Sequence, residues 1–540
     1  MIARSTKWRV AGLGSALAFA AAVCLPIGTA LAAGERVTIV MDPPSVETNR
    51  FWQTIGDFGL DPSLQRLVGN DPETGVYNND GLAERWEASA DFRTWTFYLK
   101  PDAEWHFDWG PVTAADVLHS YELHTAPDVT LTGIEQLMAD RVEVIDDHTI
   151  AFHFERARTD FAFPLAGRGS MYVYSKAQFD AEALDGYDRR PAGSGPYQYV
   201  ERRVGEGVLF ERVEDHWTGA RPDFRELHIR FSSEPATMLA MLVAGEVDMA
   251  TLPRELNPQA LEAGMEIIES QNAAMQTVMI MHGLYQTSGD PDHRPDLPWA
   301  NVEVREAMNR AIDRETLIDV LYDGRADILP RYNMHEPHEG FEPALVERFE
   351  EMYGYDPERA RELLKEAGYP DAFPDPVIPI VATTLAGNPE FPTMAELLQV
   401  FFEDIGLETE LREMDYASLG ALGRGRQAYV ISPVRNAPIR PSELGLRNTF
   451  TPQGSYFHGY EDDTIVAMIE KISETIEPEA RDRLIREAFT YVFEQYTDLP
   501  MASVNAEVTV NPDVVGGWVY PGVTSFGLSH WHLIESAEGG

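Results

Sequence analysis

GLAERWEASADFRTWTFYLKPDAEWHFDWGPVTAADV, residues 81–117, is the stretch on which the fold turns. Within it, Thr94 to Leu99 (TWTFYL) alternates with period two, as a strand does when one face is buried. A loop carrying Trp105 and Trp109 follows, and Thr113 stands three residues ahead of Asp116, the spacing of a capping box. That box predicts a helix running to about His124.

Working outward, the same alternation recurs. Arg36 to Val40 (RVTIV) reads as a short strand, and Arg141 to Ile145 with Thr149 to Phe154 (TIAFHF) as a hairpin about the polar turn Asp146-Asp147-His148. Pro235 to Ala244 reads as a helix ended by Gly245. Asp356 and Pro357 supply the N-cap and first-turn proline of another, which Gly368 stops. Ala311-Ile312-Asp313 is read as part of an amphipathic helix. Near the C-terminus, apolar residues from Leu484 to Tyr496 recur at three- and four-residue spacing, so that helix buries one broad face. Alternating strands and helices give an α/β class. Proline-rich stretches at 288–298 and 370–379 suit connections between domains.

With 540 residues the chain exceeds what one hydrophobic core organises, so two or three domains are expected. Its 44% hydrophobic content supports folding despite a net charge of -45. Such acidity repels polyphosphate and anionic lipid, which argues against a nucleic-acid or membrane-surface partner. Arg4, Lys7 and Arg9 precede an apolar run from Val10 to Leu31 and an Ala30-Leu31-Ala32 cleavage motif, the pattern of a secretory signal peptide over 1–32. Gly12, Gly14, Pro26 and Gly28 interrupt the run and argue against a membrane anchor. Cys24, the single cysteine, lies inside this segment after Val23, a poor fit to a lipoprotein signal. The exported chain is then without thiolate or disulfide chemistry.

Four blocks carry a resemblance. Residues 81–117 form the first. AGSGPY (192–197), RVEDHW (212–217) and AGEVDM (244–249) form the second. VREAMNRAIDR (304–314) is the third, and YDPERARELLKEAGY (355–369), with Asp404-Ile405-Gly406-Leu407 after it, the fourth. In this order they resemble the family 5 extracellular solute-binding proteins, the oligopeptide-, dipeptide- and nickel-binding proteins of bacterial ABC importers. The resemblance implies a bilobal periplasmic binding protein fold, with two lobes closing on a hinge and an additional domain packed on the first lobe. Lobe one would comprise 33–80, 192–294 and 497–540, the additional domain 81–191, and lobe two 295–496. It also implies a monomer in the periplasm without cofactor or catalysis, which captures a peptide-like solute and delivers it to a membrane permease with a cytoplasmic ATPase.

Peptide-binding relatives pair an acidic residue of lobe two with the peptide's amine. Aligning on Pro441 and Ser442 puts Ala437 at that position, so the acidic anchor is missing. Residues 424–447 instead hold Arg424, Arg426, Arg435, Arg440 and Arg447 against Glu443 alone. Arg435 and Arg440 are candidates to receive an anionic group, because a guanidinium fork matches a carboxylate. Ordinary salt bridges with the abundant acids are the alternative account. Positions that line the cleft in relatives add Trp52, Ser194, Met275 and Gln276, and Tyr456 is a further candidate from its place after the arginine segment; each is at least as readable as a core or turn residue.

The chain has no G-x-S-x-G elbow, Walker loop or H-E-x-x-H helix. Met334 to Gly340 (MHEPHEG) gathers His335, Glu336, His338 and Glu339, but Pro337 breaks any helix that would align them, so a polar loop is expected and no metal site. Asp290, Asp292 and His293 read as a solvated turn. The alternatives to peptide capture are an anionic non-peptide or oligosaccharide solute, or a periplasmic chaperone or sensory accessory on the same fold.

Overall fold

Two long strands, Glu266–Met281 and Asp498–Val510, run antiparallel and carry one sheet from one half of the molecule to the other. The computed structural model describes residues 34–44, 46–53, 59–127, 129, 136–166, 171–385, 388–436, 441–452, 454, 459–522 and 528–537. The expected signal peptide and Cys24 lie outside them.

At one end of the strand pair, Met249–Ala250 joins Val510 and Thr509, and Arg36–Met41 and Glu226–Phe231 continue the sheet in parallel. Two antiparallel strands, Gly207–Arg212 and Tyr197–Arg203, finish this edge. At the other end, Ile431–Asn436 pairs antiparallel with Met281 to Gln276, and Ile378–Ala382 and Thr409–Glu413 follow in parallel. The eleven-stranded sheet is therefore built as two lobes. Where they meet, the register of the crossing strands slips between Glu269 and Ala273, between Ala273 and Met275, and between Thr277 and Val278. Such bulges break the ladder and bend the strands, which localises a hinge there.

Three apolar cores form separately. One gathers Val37, Trp52, Tyr174, Phe210 and Trp531 in lobe one, and a second gathers Met308, Phe402 and Phe489 of lobe two with Met279 and Leu499 of the crossing strands. The third packs Leu67, Phe97, Val117, Phe152 and Phe161 around the sheet Ala83–Ala88, Thr94–Leu99, Thr149–His153 and Arg141–Asp146. That sheet is the additional domain.

Local signals hold at their ends. The helix Ala114–His124 starts on the Thr113–Asp116 capping box, Asp356 caps Pro357–Glu366, and the 141–153 hairpin forms as read. Two readings are corrected. Ala311 to Asp313 lies between helices: Val302–Arg310 ends there, and Asp313 turns outward to accept from Thr316 N at 3.0 Å, capping Arg314–Tyr322. Asp290 is no solvated turn residue. It is nearly enclosed and pairs with Arg426 at 2.5 Å, with Asp292 at 3.3 Å and Glu461 at 2.7 Å on the same guanidinium and the Tyr285 ring beneath it. The loop 334–340 is irregular, as expected, with Glu339 paired to Arg481 at 2.6 Å.

Candidate functional site: the cleft between the lobes

The strand directions place the site. Glu266–Met281 runs from lobe one into lobe two, and Met249–Ala250, Arg36–Met41 and Glu226–Phe231 run the same way. Ile378–Ala382 and Ile431–Asn436 run oppositely, from lobe two toward lobe one. The carboxyl ends of both parallel sets thus point at each other across the hinge, and ligands of open α/β sheets bind in the crevice outside those ends.

From lobe two, Ile378–Ala382 delivers Thr383 and the Leu385–Asn388 bridge to this crevice, and Ile431–Asn436 delivers Arg435 and Asn436, with the helix Ser442–Phe450 beyond. Gln276 sits opposite Asn436 and Thr277 opposite Arg435. Gln276 is fully engaged: its amide Nε2 donates to Met334 O at 2.7 Å and its Oε1 accepts from Asn333 N at 3.0 Å. Asn333 in turn accepts from Asn436 Nδ2 at 2.6 Å and donates to Thr449 Oγ1 at 3.1 Å. Met275 takes Asn388 Nδ2 on its sulfur at 2.7 Å. Glu390, beside Asn388 and the Tyr322 hydroxyl, has its carboxyl pushed up by burial.

Arg254, just past the lobe-one strand end, crosses the hinge. It donates to Asn505 O at 2.8 Å, to the Glu507 carboxylate, and to Arg325 O of lobe two at 3.3 Å. Further out, the additional domain meets lobe two: Thr159 Oγ1 donates to Glu443 Oε2 at 3.0 Å, and Phe163 packs on Leu444 beside Tyr77. The additional domain and lobe two therefore touch away from the crossing strands.

The positions singled out in the sequence are distributed unevenly. Met275 and Gln276, on the crossing strand, and Arg435 of lobe two stand where the lobes meet. Trp52 is committed to the lobe-one core, edge-on to Tyr174 at 5.1 Å and to His124 at 5.6 Å. Ser194 is enclosed in a turn docked on Ser63, where its carbonyl accepts from Trp217 Nε1 at 2.8 Å and its amide donates to Ser63 O at 3.0 Å. A Cβ at the neighbouring Gly193 would lie 1.9 Å from Ser63 O, so this approach admits only glycine. Arg440 and Tyr456 lie outside the described residues. Of the other arginines, Arg426 is held by three carboxylates and Arg447 by Glu443, the salt-bridge account weighed above. The amide set Asn333, Asn388 and Asn436 escaped sequence reading, because no spacing connects residues that meet only through strand pairing.

A separate cavity of about 840 Å³ opens between lobe one and the additional domain, beside Arg66, Lys100, Trp217 and His532. No residue of 295–496 lines it, so it is distinct from the cleft. Among the described residues no group of three or more His, Cys, Asp or Glu is placed to hold a metal ion.

Residues 79–443 match the family described as bacterial extracellular solute-binding proteins, family 5 Middle. Glutathione-binding protein GsiB of Salmonella typhimurium is 26% identical over 546 residues, covering 95% of this chain and 96% of its own. Heme-binding protein A of Haemophilus influenzae is 24% identical over 477 residues, 81% of this chain and 80% of that protein. Among solved structures, HbpA2 from Haemophilus parasuis superposes with a TM-score of 0.76 at 21% identity, covering 93% of this chain and all of that one. DppA from Helicobacter pylori in complex with peptide STSA gives 0.65 at 20% identity, covering 93% and 98%. With opposed strand ends, a two-strand hinge and a family match over more than half its length, the chain belongs to the family 5 bacterial extracellular solute-binding proteins.

Proposed function

We propose that this protein captures a peptide-like solute between its lobes in the periplasm and presents the closed, loaded form to the permease of an ABC importer. One observation carries the reading: the carboxyl ends of the parallel strands of both lobes face one crevice, bridged by a bulged strand pair that can bend. A solute touching both walls favours the closed arrangement by the difference in its affinity for the two states, and no bond need be made or broken. Relatives named for glutathione and for di- and tripeptides support a peptide-like cargo. Removal of residues 1–32 on export fits the apolar leader.

Within this reading lobe one spans 33–80, 192–294 and 497–540, the additional domain 81–191 and lobe two 295–496, and the protein acts as a monomer. Arg435 of lobe two, with Met275 and Gln276 of the crossing strand, forms one wall, Arg435 receiving the solute's carboxylate with Arg440 and Tyr456 beyond it. Trp52 and Ser194 shape lobe one from behind. A thermal-shift screen of protein unfolded and refolded to strip carried-over solute tests this. Saturation at about 100 times Kd adds about 2.7 kcal/mol. A shift with di- to pentapeptides supports the reading, and none with any solute class would redirect it to a chaperone or sensory role.

A further inference from the structure

Four side chains just beyond the carboxyl ends of the lobe-two strands each hold a polar atom without a hydrogen-bond partner: Thr383 Oγ1, Asn388 Oδ1, Asn436 Oδ1 and Ser442 Oγ. Their residues are 2%, 0%, 5% and 3% exposed. An enclosed polar group left unpaired costs about 1–3 kcal/mol; other such atoms are scattered over the described residues, and what sets these four apart is their common place. Here they gather at one sheet edge. Ile380 pairs with Ile431 in parallel, and continuing that register sets Thr383 level with Val434, about 7 Å along the strand from Asn436.

The hydrogen-bond network fixes which atoms are free. Asn333 Nδ2 faces the carbonyl of Gly445 at 3.4 Å, so its Oδ1 is the acceptor and Asn436 must donate through Nδ2, leaving Asn436 Oδ1 as a bare acceptor. Asn388 Nδ2 is fixed likewise by the Glu390 carboxylate at 3.2 Å, leaving its Oδ1 bare. The two carboxamide oxygens therefore ask for donors, and the two hydroxyls, free to turn, can accept as well. The edge offers little to a positive charge. Glu443 is engaged by Thr159, Ser473 and Arg447, Glu390 by Asn388 and Tyr322, and Arg435 immediately precedes Asn436. An ammonium group set here would lose its water without a free counter-charge.

We propose that Thr383, Asn388, Asn436 and Ser442 receive uncharged N–H or O–H donors of the solute, so that the group they hold, beside any carboxylate that Arg435 takes, is a neutral amide or hydroxyl and not a free α-amine. This rests on the reading that solute lies between the lobes.

The test is native mass spectrometry and titration calorimetry on the exported chain with three probes: a random tripeptide mixture, the same mixture N-acetylated, and a mixture of neutral oligosaccharides. The expected result is capture of acetylated peptides, or of oligosaccharides if the donors are hydroxyls, at least tenfold tighter than the free-amine peptides. Ser442→Ala and Thr383→Val should each weaken that binding about five- to tenfold while leaving the melting temperature of the solute-free protein level or raised, since neither hydroxyl has a partner to lose. Capture of free-amine peptides that acetylation abolishes would overturn the inference and leave capture between the lobes standing. Unchanged affinity in both variants would also overturn it. Binding of no probe and of no other peptide or anionic solute would remove the reading beneath it as well.

Discussion

The hydroxyl of Thr159 donates to the carboxylate of Glu443 at 3.0 Å across 284 positions of sequence, and so ties the additional domain to lobe two. Glu443 is nearly enclosed and is held on its own lobe by Ser473 Oγ at 2.7 Å and by Arg447. Phe163, Leu444 and Tyr77 close over the same spot. These contacts make a candidate clasp between the additional domain and lobe two.

Opening the clasp should cost affinity, because solute binding must then supply closure by itself. A buried leucine side chain contributes about 1.5–3 kcal/mol, so Leu444→Asp should weaken solute binding tenfold or more and raise the radius of gyration of the solute-free protein. Thr159→Val removes one hydrogen bond and should cost about threefold to tenfold. X-ray scattering and calorimetry on the two variants read both effects, and a Leu444→Asp protein with unchanged radius and affinity would remove the clasp from the account.

The contrast between what sequence showed and what it hid follows contact range. Thr113 with Asp116 and Asp356 with Pro357 are neighbours, so their caps could be read directly, and the period-two run Thr94–Leu99 showed its strand. Asp290 and Arg426 lie 136 positions apart, and nothing local tells an acid in a turn that its partner is an arginine. Ala311 to Asp313 misled because Asp is equally a helix-face residue and an N-cap, and tertiary packing chose the cap. Of the candidate site, Met275 and Gln276 could be read from matched positions, whereas the placement of Asn436 depends on Asn333 and so on the strand pairing that brings them together.

Arg331 and Asp498 form an ion pair with side chains only 1% exposed, at the point where the second crossing strand starts. Arg331→Met leaves a buried carboxylate unpaired and should destabilise by about 3–5 kcal/mol in urea unfolding. The double replacement Arg331→Met with Asp498→Leu should recover most of that. Equal loss in single and double variants would mean the pair is not the cause.

Stability should fall as the solution is acidified through the histidine range. Burial holds the imidazoles of His106 and His124 down to about 4 from 6.5, so both are neutral in the fold. Between pH 6.5 and 4 the unfolded chain binds the extra protons, so unfolding is favoured increasingly as pH drops, by up to about 3 kcal/mol per histidine near pH 4 and by nothing above 6.5. His124, ringed by Phe51, Trp52 and Tyr174, is the better test. His124→Phe should flatten the fall in melting temperature between pH 6.5 and 4.5, and an unchanged slope would contradict the assignment.

Salt should stabilise the protein. With 88 Asp and Glu against 43 Lys and Arg, self-repulsion exceeds what surface pairs such as Arg359–Glu362 and Arg361–Asp404 return. Raising sodium chloride from about 0.1 to about 1 M shortens the Debye length from ~10 to ~3 Å and should raise the melting temperature by several degrees. A drop would mean that ion pairs outweigh repulsion.

The most direct measurement places one dye on each lobe and follows their separation during titration. Val204 and Val400 are 77% and 61% exposed and lie on lobes one and two, and Cys24→Ser leaves Val204→Cys and Val400→Cys as the sole labelling sites. The account predicts a saturable change of the distance whose midpoint matches the calorimetric Kd of the solute, and a weaker response of Leu444→Asp at the same solute concentration. Solute binding that melts or calorimetry detect while the distance stays fixed would place the site elsewhere and contradict capture between the lobes.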